Sequence, residues 1–401
     1  MDPAYREIPP GQRYPEHVRG AHRARWLATT DEAYAEMERR IDAATASVRI
    51  ETYIMREEGP ALWLREALLR ARARGVTVHM LLDAFGCEGV GAAFLEPLRE
   101  AGAEVAIFNP KWFLRRTFRN HRKLLACDGE HAIVGGFNIA PEYVGDGVTQ
   151  GWCDTGVYVG GPEVQRMERS FDAMFELAPF TPQAFRRFQR AMRRLRAEPP
   201  QDSPLRALFS GPRLRRGVLG HALRRDLAAS RDVAIASAYF LPSTLLRRQL
   251  YRVARGTGRA YGRGRVRLLL SGRSDVPMAR LAAERLYTRL LSRRVRVFEY
   301  QPQNLHAKVV VMDSVVWAGS GNLDRRSLSI NYELLLRFEW PELAADARSW
   351  FRAALRHSTL VRLSQWRRQR SLWRRVGSAF AWLLLTRIDP LIARRGFRSL
   401  S

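Results

Sequence analysis

The chain has 401 residues, 46% of them apolar and 27% charged, which is enough for two domains of ordinary size and excludes a disordered or fibrous chain. Its formal net charge of +27 calls for anionic partners, the phosphates of nucleic acid or of a membrane surface, and charge alone does not choose between them. Three cysteines, Cys87, Cys127 and Cys153, match no disulfide or metal framework, so a reducing compartment is expected; the opening residues carry no apolar segment that reads as a signal peptide or membrane span.

Residues 1 to 28 are rich in Pro and Arg without a period and read as an N-terminal arm. From Asp31 the pattern turns α/β, with a helix over Ala33–Ala44, a strand over Val48–Ile54, a helix over Ala61–Arg74 stopped by Gly75, and a strand over Val76–Leu82 leading to Asp83. After a further helix, Val105–Phe108 is the next strand. Strands alternating with helices predict a largely parallel sheet covered on both faces, in a first domain spanning 29–179.

Residues 180–215 read as a basic linker, whose helix places Phe185, Phe188, Met192 and Leu195 on one stripe. That stripe suits packing against the domains or a basic helix lying on an anionic membrane. A second domain, 216–345, repeats the first: strands at Val233–Ala238, Val266–Leu270 and Val295–Tyr300, with a helix around Ala279–Leu291 before the last. Tyr53 to Tyr239, Val76 to Val266, Val105 to Val295 and His121 to His306 are 186, 190, 190 and 185 residues apart, an internal repeat of domain size. Two such domains packed about a pseudo-twofold would bring matching residues together at their interface.

The remainder, 346–401, is basic and amphipathic. Trp366, Trp373, Val376, Phe380, Leu383 and Leu384 fall on one helical stripe behind a cluster of arginines. The uncharged run between Arg375 and Arg387 is 11 residues, too short for the roughly 20 that span a bilayer. It suits an interfacial helix or one docked on the second domain.

The repeat is sharpest at Asn120–Asn138, N-H-R-K-L-L-A-C-D-G-E-H-A-I-V-G-G-F-N, and at Leu305–Asn322, L-H-A-K-V-V-V-M-D-S-V-V-W-A-G-S-G-N. In each copy, His and Lys at i and i+2 on a buried strand share a face, so His121 points with Lys123 and His306 with Lys308. Asp128 and Asp313 fall on the opposite parity and read as turn or support residues. The Gly pair admits close backbone approach, and Asn138 and Asn322 offer amide donors to an oxyanion. Of 67 basic residues the only lysines are Lys111, Lys123 and Lys308, so two of three sit where a compact ammonium replaces the guanidinium used elsewhere.

Two imidazoles can act in line on one phosphorus, one as nucleophile and one as acid, while lysines and asparagines hold the equatorial oxygens without a metal. Each imidazole then needs a carboxylate to orient it. The candidates are Asp154, 33 residues after His121, and Glu333, 27 after His306.

The pattern H-x-K-x4-D-x6-G-(G/S)-x-N, complete in the first copy and one residue shorter in the second, resembles the phospholipase D superfamily over about Asp31 to Glu339. The resemblance implies two similar α/β domains, each a mixed, mostly parallel sheet covered by helices, with one site at their interface. It counts Asp128 and Asp313 in the catalytic motif, gives Asn138, Ser320 and Asn322 to the phosphate, assigns His121 as nucleophile and His306 as acid, and calls for no cofactor. Gly-Gly-Phe-Asn-Ile at 135–139, Trp-Cys-Asp-Thr at 152–155 with the V-x-V-x-G-P that follows, and the stretch from Gly321 to Glu333 resemble bacterial cardiolipin synthases of the class B type. The implied reaction moves a phosphatidyl group from phosphatidylglycerol to a second lipid through a phosphohistidine, releasing glycerol, at the cytoplasmic face of a membrane. With water as acceptor the same chemistry makes a phospholipase D or a nuclease. The apolar and cationic loop Lys111–Arg116 lies where a lipid would approach.

Overall fold

The computed structural model of the chain describes residues 13–109, 118–197, 203–212, 218–256 and 264–389. Its framework is two eight-stranded sheets. The first holds β1 (Glu16–Arg19), β2 (His22–Leu27), β3 (Ser47–Thr52), β4 (Thr77–Asp83), β5 (Glu104–Phe108), β6 (Leu124–Cys127), β7 (His131–Gly135) and β8 (Gly156–Gly160), in the order β1-β2-β8-β7-β6-β3-β4-β5. The second holds β9 (Leu205–Ser210), β10 (Asp232–Ser237), β11 (Arg265–Ser271), β12 (Arg296–Tyr300), β13 (Lys308–Met312), β14 (Val315–Gly319), β15 (Glu333–Glu339) and β16 (Ser358–Leu360), in the order β16-β12-β11-β10-β13-β14-β15-β9.

Both sheets are mixed, and the expectation of mostly parallel strands is corrected. Parallel pairing is confined to β3-β4-β5 and β10-β11-β12, where helices make the crossovers. The motif itself is an antiparallel hairpin, because a loop of two or three residues can only return the chain antiparallel. The residue missing from the second copy is lost at this turn: three residues, Asp128 to Glu130, join β6 to β7, and two, Asp313 and Ser314, join β13 to β14. The shorter turn leaves the strands after it in phase.

The chain's divisions also differ from those read in the sequence. Within the supposed arm, β1 and β2 complete the first sheet, with Ala24 and Trp26 fully buried and Arg25 ion-paired to Glu32 and Glu36. A strand this short, with arginines among its apolar residues, offers no period to detect. Within the supposed linker, β9 pairs with β15 at the edge of the second sheet. That sheet continues past residue 345 through the helix Pro341–Arg356 to β16 on its opposite edge.

Three apolar cores result. One lies on the outer face of each sheet. The third is shared: alternate residues of both sheets, such as Leu124, Val134 and Val157 against Val309, Ala318 and Leu336, pack with the helices Glu163–Leu177, Pro182–Ala197 and Pro341–Arg356. Phe188, Met192 and Leu195 are buried in it, so the basic stripe helix is a packed connection. This shared core fixes one motif relative to the other.

The register refines the repeat. Val48 faces Val78 where Val233 faces Val266, and Ile50 faces Leu125 where Ile235 faces Val310. Tyr239 therefore corresponds to Ile54, not to Tyr53. The two backbone amides confirm it, since Ile54 N donates to Asn138 Oδ1 and Tyr239 N to Asn322 Oδ1.

Candidate active site

Each motif enters the shared core at the start of a hairpin, and each is locked there by the other half. His121 N donates to Tyr332 O at 3.0 Å, and His306 N donates to Cys153 O at 2.8 Å. These are matching bridges, Asn120 to Tyr332 and Leu305 to Cys153, beside the two carboxylates. As a result the carboxylates cross over. His121 Nδ1 lies 3.1 Å from Glu333 Oε2 of the second half, and His306 Nδ1 lies 2.7 Å from Asp154 Oδ2 of the first.

The lysines follow their expected faces. Lys123 Nζ donates to His121 O at 2.8 Å and lies over the Tyr53 ring, while Lys308 Nζ donates to His306 O and stands 3.0 Å from His306 Nε2. All four side chains are nearly buried, and burial acts on them before any neighbour does. It holds the His121 imidazole well below its usual range, with Lys123, Lys308 and His306 adding to the depression. His306 is lowered by burial and then by Lys308, against the opposing pull of Asp154. Burial likewise brings Lys123 down to about 7 and Lys308 to about 8, and raises Glu333 to about 8. Two lysine ammonium groups are thus held together and away from water, and a phosphodiester placed against them would relieve that strain.

The remaining motif residues divide by distance from this centre. Asp128 and Asp313 do not reach it. Each occupies its hairpin turn at positive φ, 56° and 47°, and accepts backbone amides: Thr45, Ala46 and Ser47 for Asp128, Arg231 and Asp232 for Asp313. They pin the entry of β3 and β10 to the hairpin. Asn138 gives its Nδ2 to Tyr143 Oη at 2.6 Å and its Oδ1 to Ile54 N, so it orders the site's wall before it touches any substrate. Ser320 Oγ donates to Glu333 Oε2 at 2.6 Å; its place is behind the carboxylate, not against a phosphate. Asn322 holds Tyr239 N. The loop 111–116 lies outside the described residues.

Three aromatic side chains complete the site. Tyr53 packs on the His121 ring at 4.7 Å between centroids, and Trp152 and Tyr143 pack on His306 at 5.3 and 5.1 Å. Tyr143 Oη also stands 3.4 Å from His306 Nε2. Trp152 could have been read from its place two residues before Asp154. Nothing in the sequence marks Tyr143.

The family model described as "Cardiolipin synthase, PLD-like domain" matches residues 37–175 and 225–355, one match on each half of the repeat. The chain belongs to this family. Cardiolipin synthase B of Escherichia coli strain K12 is 32% identical over 326 residues, covering 79% of this chain and 76% of that protein. Cardiolipin synthase 1 of Bacillus cereus is 27% identical over 378 residues, covering 91% and 72%. Among solved structures, the phosphatidylserine synthase of Haemophilus influenzae shares the fold across 95% of this chain and 97% of its own, with a TM-score of 0.67 at 13% identity. The paired sheets and the pseudo-twofold are thus those of a cardiolipin synthase-type, phospholipase D-like chain, and the His and Lys of both motifs meet at one centre.

Proposed function

We propose that the protein is a cardiolipin synthase that moves the phosphatidyl group of phosphatidylglycerol to a hydroxyl of a second phospholipid. The observation that carries this reading is the crossed pair of imidazole–carboxylate contacts, which leaves the Nε2 atoms of two histidines to serve one phosphorus. His121 Nε2 attacks phosphorus, the bond to the glycerol oxygen breaks, and His306, which takes up a proton once the anionic phosphodiester lies against it, delivers the proton that makes free glycerol. The hydroxyl of the second lipid then gives its proton back to His306 and attacks, and the phosphorus–nitrogen bond breaks. Lys123 and Lys308 neutralise the oxygens in both steps. A neutral imidazole is the nucleophilic form, and burial keeps His121 in it.

We place the reaction at the cytoplasmic face of a membrane, with the protein peripheral. No helix among the described residues is long and apolar enough to cross one. The C-terminal helix Leu372–Leu383 supports a surface position. One face docks on the helix Pro277–Ser292 through the Arg374–Glu284 ion pair and the buried Ser378 and Ala381. Its other face leaves Leu372, Trp373 and Phe380 exposed at 71%, 84% and 61%, together with Val376 and Leu383. Trp366, read with that stripe, belongs instead to the second outer core, against Tyr287. The segment is therefore docked on the second half, and its free face is apolar.

The experiment is to incubate the pure protein with phosphatidylglycerol vesicles, with and without phosphatidylethanolamine, and to separate the lipids. Cardiolipin with released glycerol is expected. Phosphatidic acid as the sole product would replace this reading with a hydrolase.

A further inference from the structure

A cleft lined by arginines stands beside the docked C-terminal helix. The cleft, of about 740 Å³, is lined by Arg285, Arg289 and Arg293 from one segment, Arg367, Arg370 and Arg375 from the C-terminal segment, and Arg247 from a third. It shares no lining residue with the catalytic centre. None of these seven guanidinium groups has an ion-pair partner among the described residues. The carboxylate near them, Glu284, is taken by Arg374 and Arg280.

Such an arrangement costs stability. Arg285 and Arg289 stand four apart on the helix Pro277–Ser292, with Arg293 four further at its cap, and like charges at that spacing repel. Burial and the neighbouring Arg285 and Arg375 disfavour the charge on Arg370, and burial with Arg289 does the same to Arg247. A surface with no use for an anion gains by replacing any of these residues with a neutral one. Planar guanidinium forks on several walls of one cleft suit the oxygens of a phosphodiester.

Position identifies the source of that phosphate. Arg375 and Trp382, seven residues apart on the helix Leu372–Leu383, lie on its flank, between the docked face and the exposed stripe of Trp373, Val376 and Phe380. If that stripe enters the acyl boundary of a bilayer, the cleft beside it faces the headgroups. The far end of the same helical segment is tied to the catalytic half, with Arg326 paired to Asp389 and Arg325 donating to Thr386 O. Arg325 and Arg326 open the short helix that follows Asn322.

We propose that the arginine cleft is a non-catalytic site for the phosphate headgroup of an anionic phospholipid, which seats the protein on the membrane with its catalytic centre at a fixed pose. The proposal rests on the reading of a membrane-surface enzyme but not on which lipid the enzyme makes. The test uses the full chain carrying Arg285→Ser, Arg289→Ser and Arg367→Ser together, with Arg186→Ser, Arg190→Ser and Arg193→Ser on the exposed side of another helix as a charge-matched control. Sedimentation with phosphatidylcholine vesicles, with and without phosphatidylglycerol, measures binding, and turnover of phosphatidylglycerol dispersed in detergent measures the centre.

The cleft variant is expected to lose on the order of a hundredfold in affinity for the anionic vesicles, while the control loses far less. Detergent turnover stays at the wild-type level, and the residual binding persists in high salt because the apolar stripe remains. The variant's Tm without lipid rises, since like charges have been removed. Equal losses in the two variants, or unchanged vesicle binding by the cleft variant, would overturn the site. So would duplex DNA binding that displaces the vesicles and is lost with the same three arginines. A failed assignment of the reaction shows only in the lipid products, and leaves the vesicle result to stand or fall alone.

Discussion

The two half-sites are built on one plan and finished differently. Around His306 stand Asp154, Trp152 and Tyr143, and Gly136 leaves room for the short carboxylate: a Cβ at Gly136 would collide with Asp154. Around His121 stand the longer Glu333 and Tyr53, and the counterpart of Gly136 is Ser320, whose hydroxyl donates to Glu333. The strands beneath differ more. The first half buries an ion pair, Glu51 with Arg122 at 2.8 Å, joined by Asn120; the second has Ala236 and Ala307 at those positions. What the halves share is the His–Lys pair, the Asp at the hairpin turn and the Asn that holds a backbone amide. What they do not share is the carboxylate and the rings around each histidine and the filling of the strands beneath.

The largest expected effect tests what is shared. His121→Ala and His306→Ala each should lower kcat by roughly ten-thousandfold or more, because nucleophile and acid act on one phosphorus and neither half suffices. Single-turnover assays that trap phosphohistidine check it: an adduct in the His306 variant and none in the His121 variant fixes the roles. Substantial steady-state turnover in either variant would break the shared centre.

Next come the carboxylates, where the comparison predicts inequality. Asp154→Asn removes the 2.7 Å partner of His306 and should cost about a thousandfold. Glu333→Gln should cost only about tenfold. Burial already holds that carboxyl up to about 8, so it is largely neutral near pH 7, and Ser320 O also lies 3.1 Å from His121 Nδ1. Equal losses in kcat would show that the asymmetry has no functional weight.

The buried ion pair sharpens the comparison on the side of stability. Arg122→Met alone strands Glu51 in the core and should destabilise the protein by about 3–5 kcal/mol in urea unfolding. Adding Glu51→Met, which makes the first half apolar like the second, should restore most of it. A double variant no better than the single would mean that the ion pair does more than fill space.

The last test is in pH. Lys123 and Lys308 must carry protons to hold the phosphate, and burial lowers them to about 7 and about 8 in the free protein. The sign follows: kcat/KM falls as pH rises through that range, by about tenfold per unit for each lysine lost. On the acid side His121 stays neutral until well below its usual value, so the acid limb lies below pH 6.5. With phosphate bound the lysine limb should move up, and kcat should hold to higher pH than kcat/KM. A flat kcat/KM profile from 7 to 9 would remove the lysines from phosphate binding.

Much of this was legible because a strand writes its faces with period two. The sequence alone puts His121 with Lys123 and His306 with Lys308, and sets Asp128 and Asp313 apart from them. The carboxylates were legible as residue types but not as pairs, since nothing local to Asp154 says that it serves His306 across the interface. The strands β1, β2 and β9 escaped because each is short and sets arginines among too few apolar residues to show a period. Tyr239 was matched to Tyr53 by identity, whereas register pairs it with Ile54. Side-chain likeness misleads where only the backbone amide is shared.

The crossing of the carboxylates also has a consequence in time. A chain made from its N-terminus presents His121 long before Glu333 exists, and Asp154 waits for a His306 not yet made. The first half can fold its own outer core in that interval, but its histidine has neither the carboxylate nor the Tyr332 carbonyl that set its ring and strand. Catalytic competence arrives in one step, when the second sheet closes on the first. A partly made chain therefore lacks a complete centre, because each half supplies the carboxylate of the other.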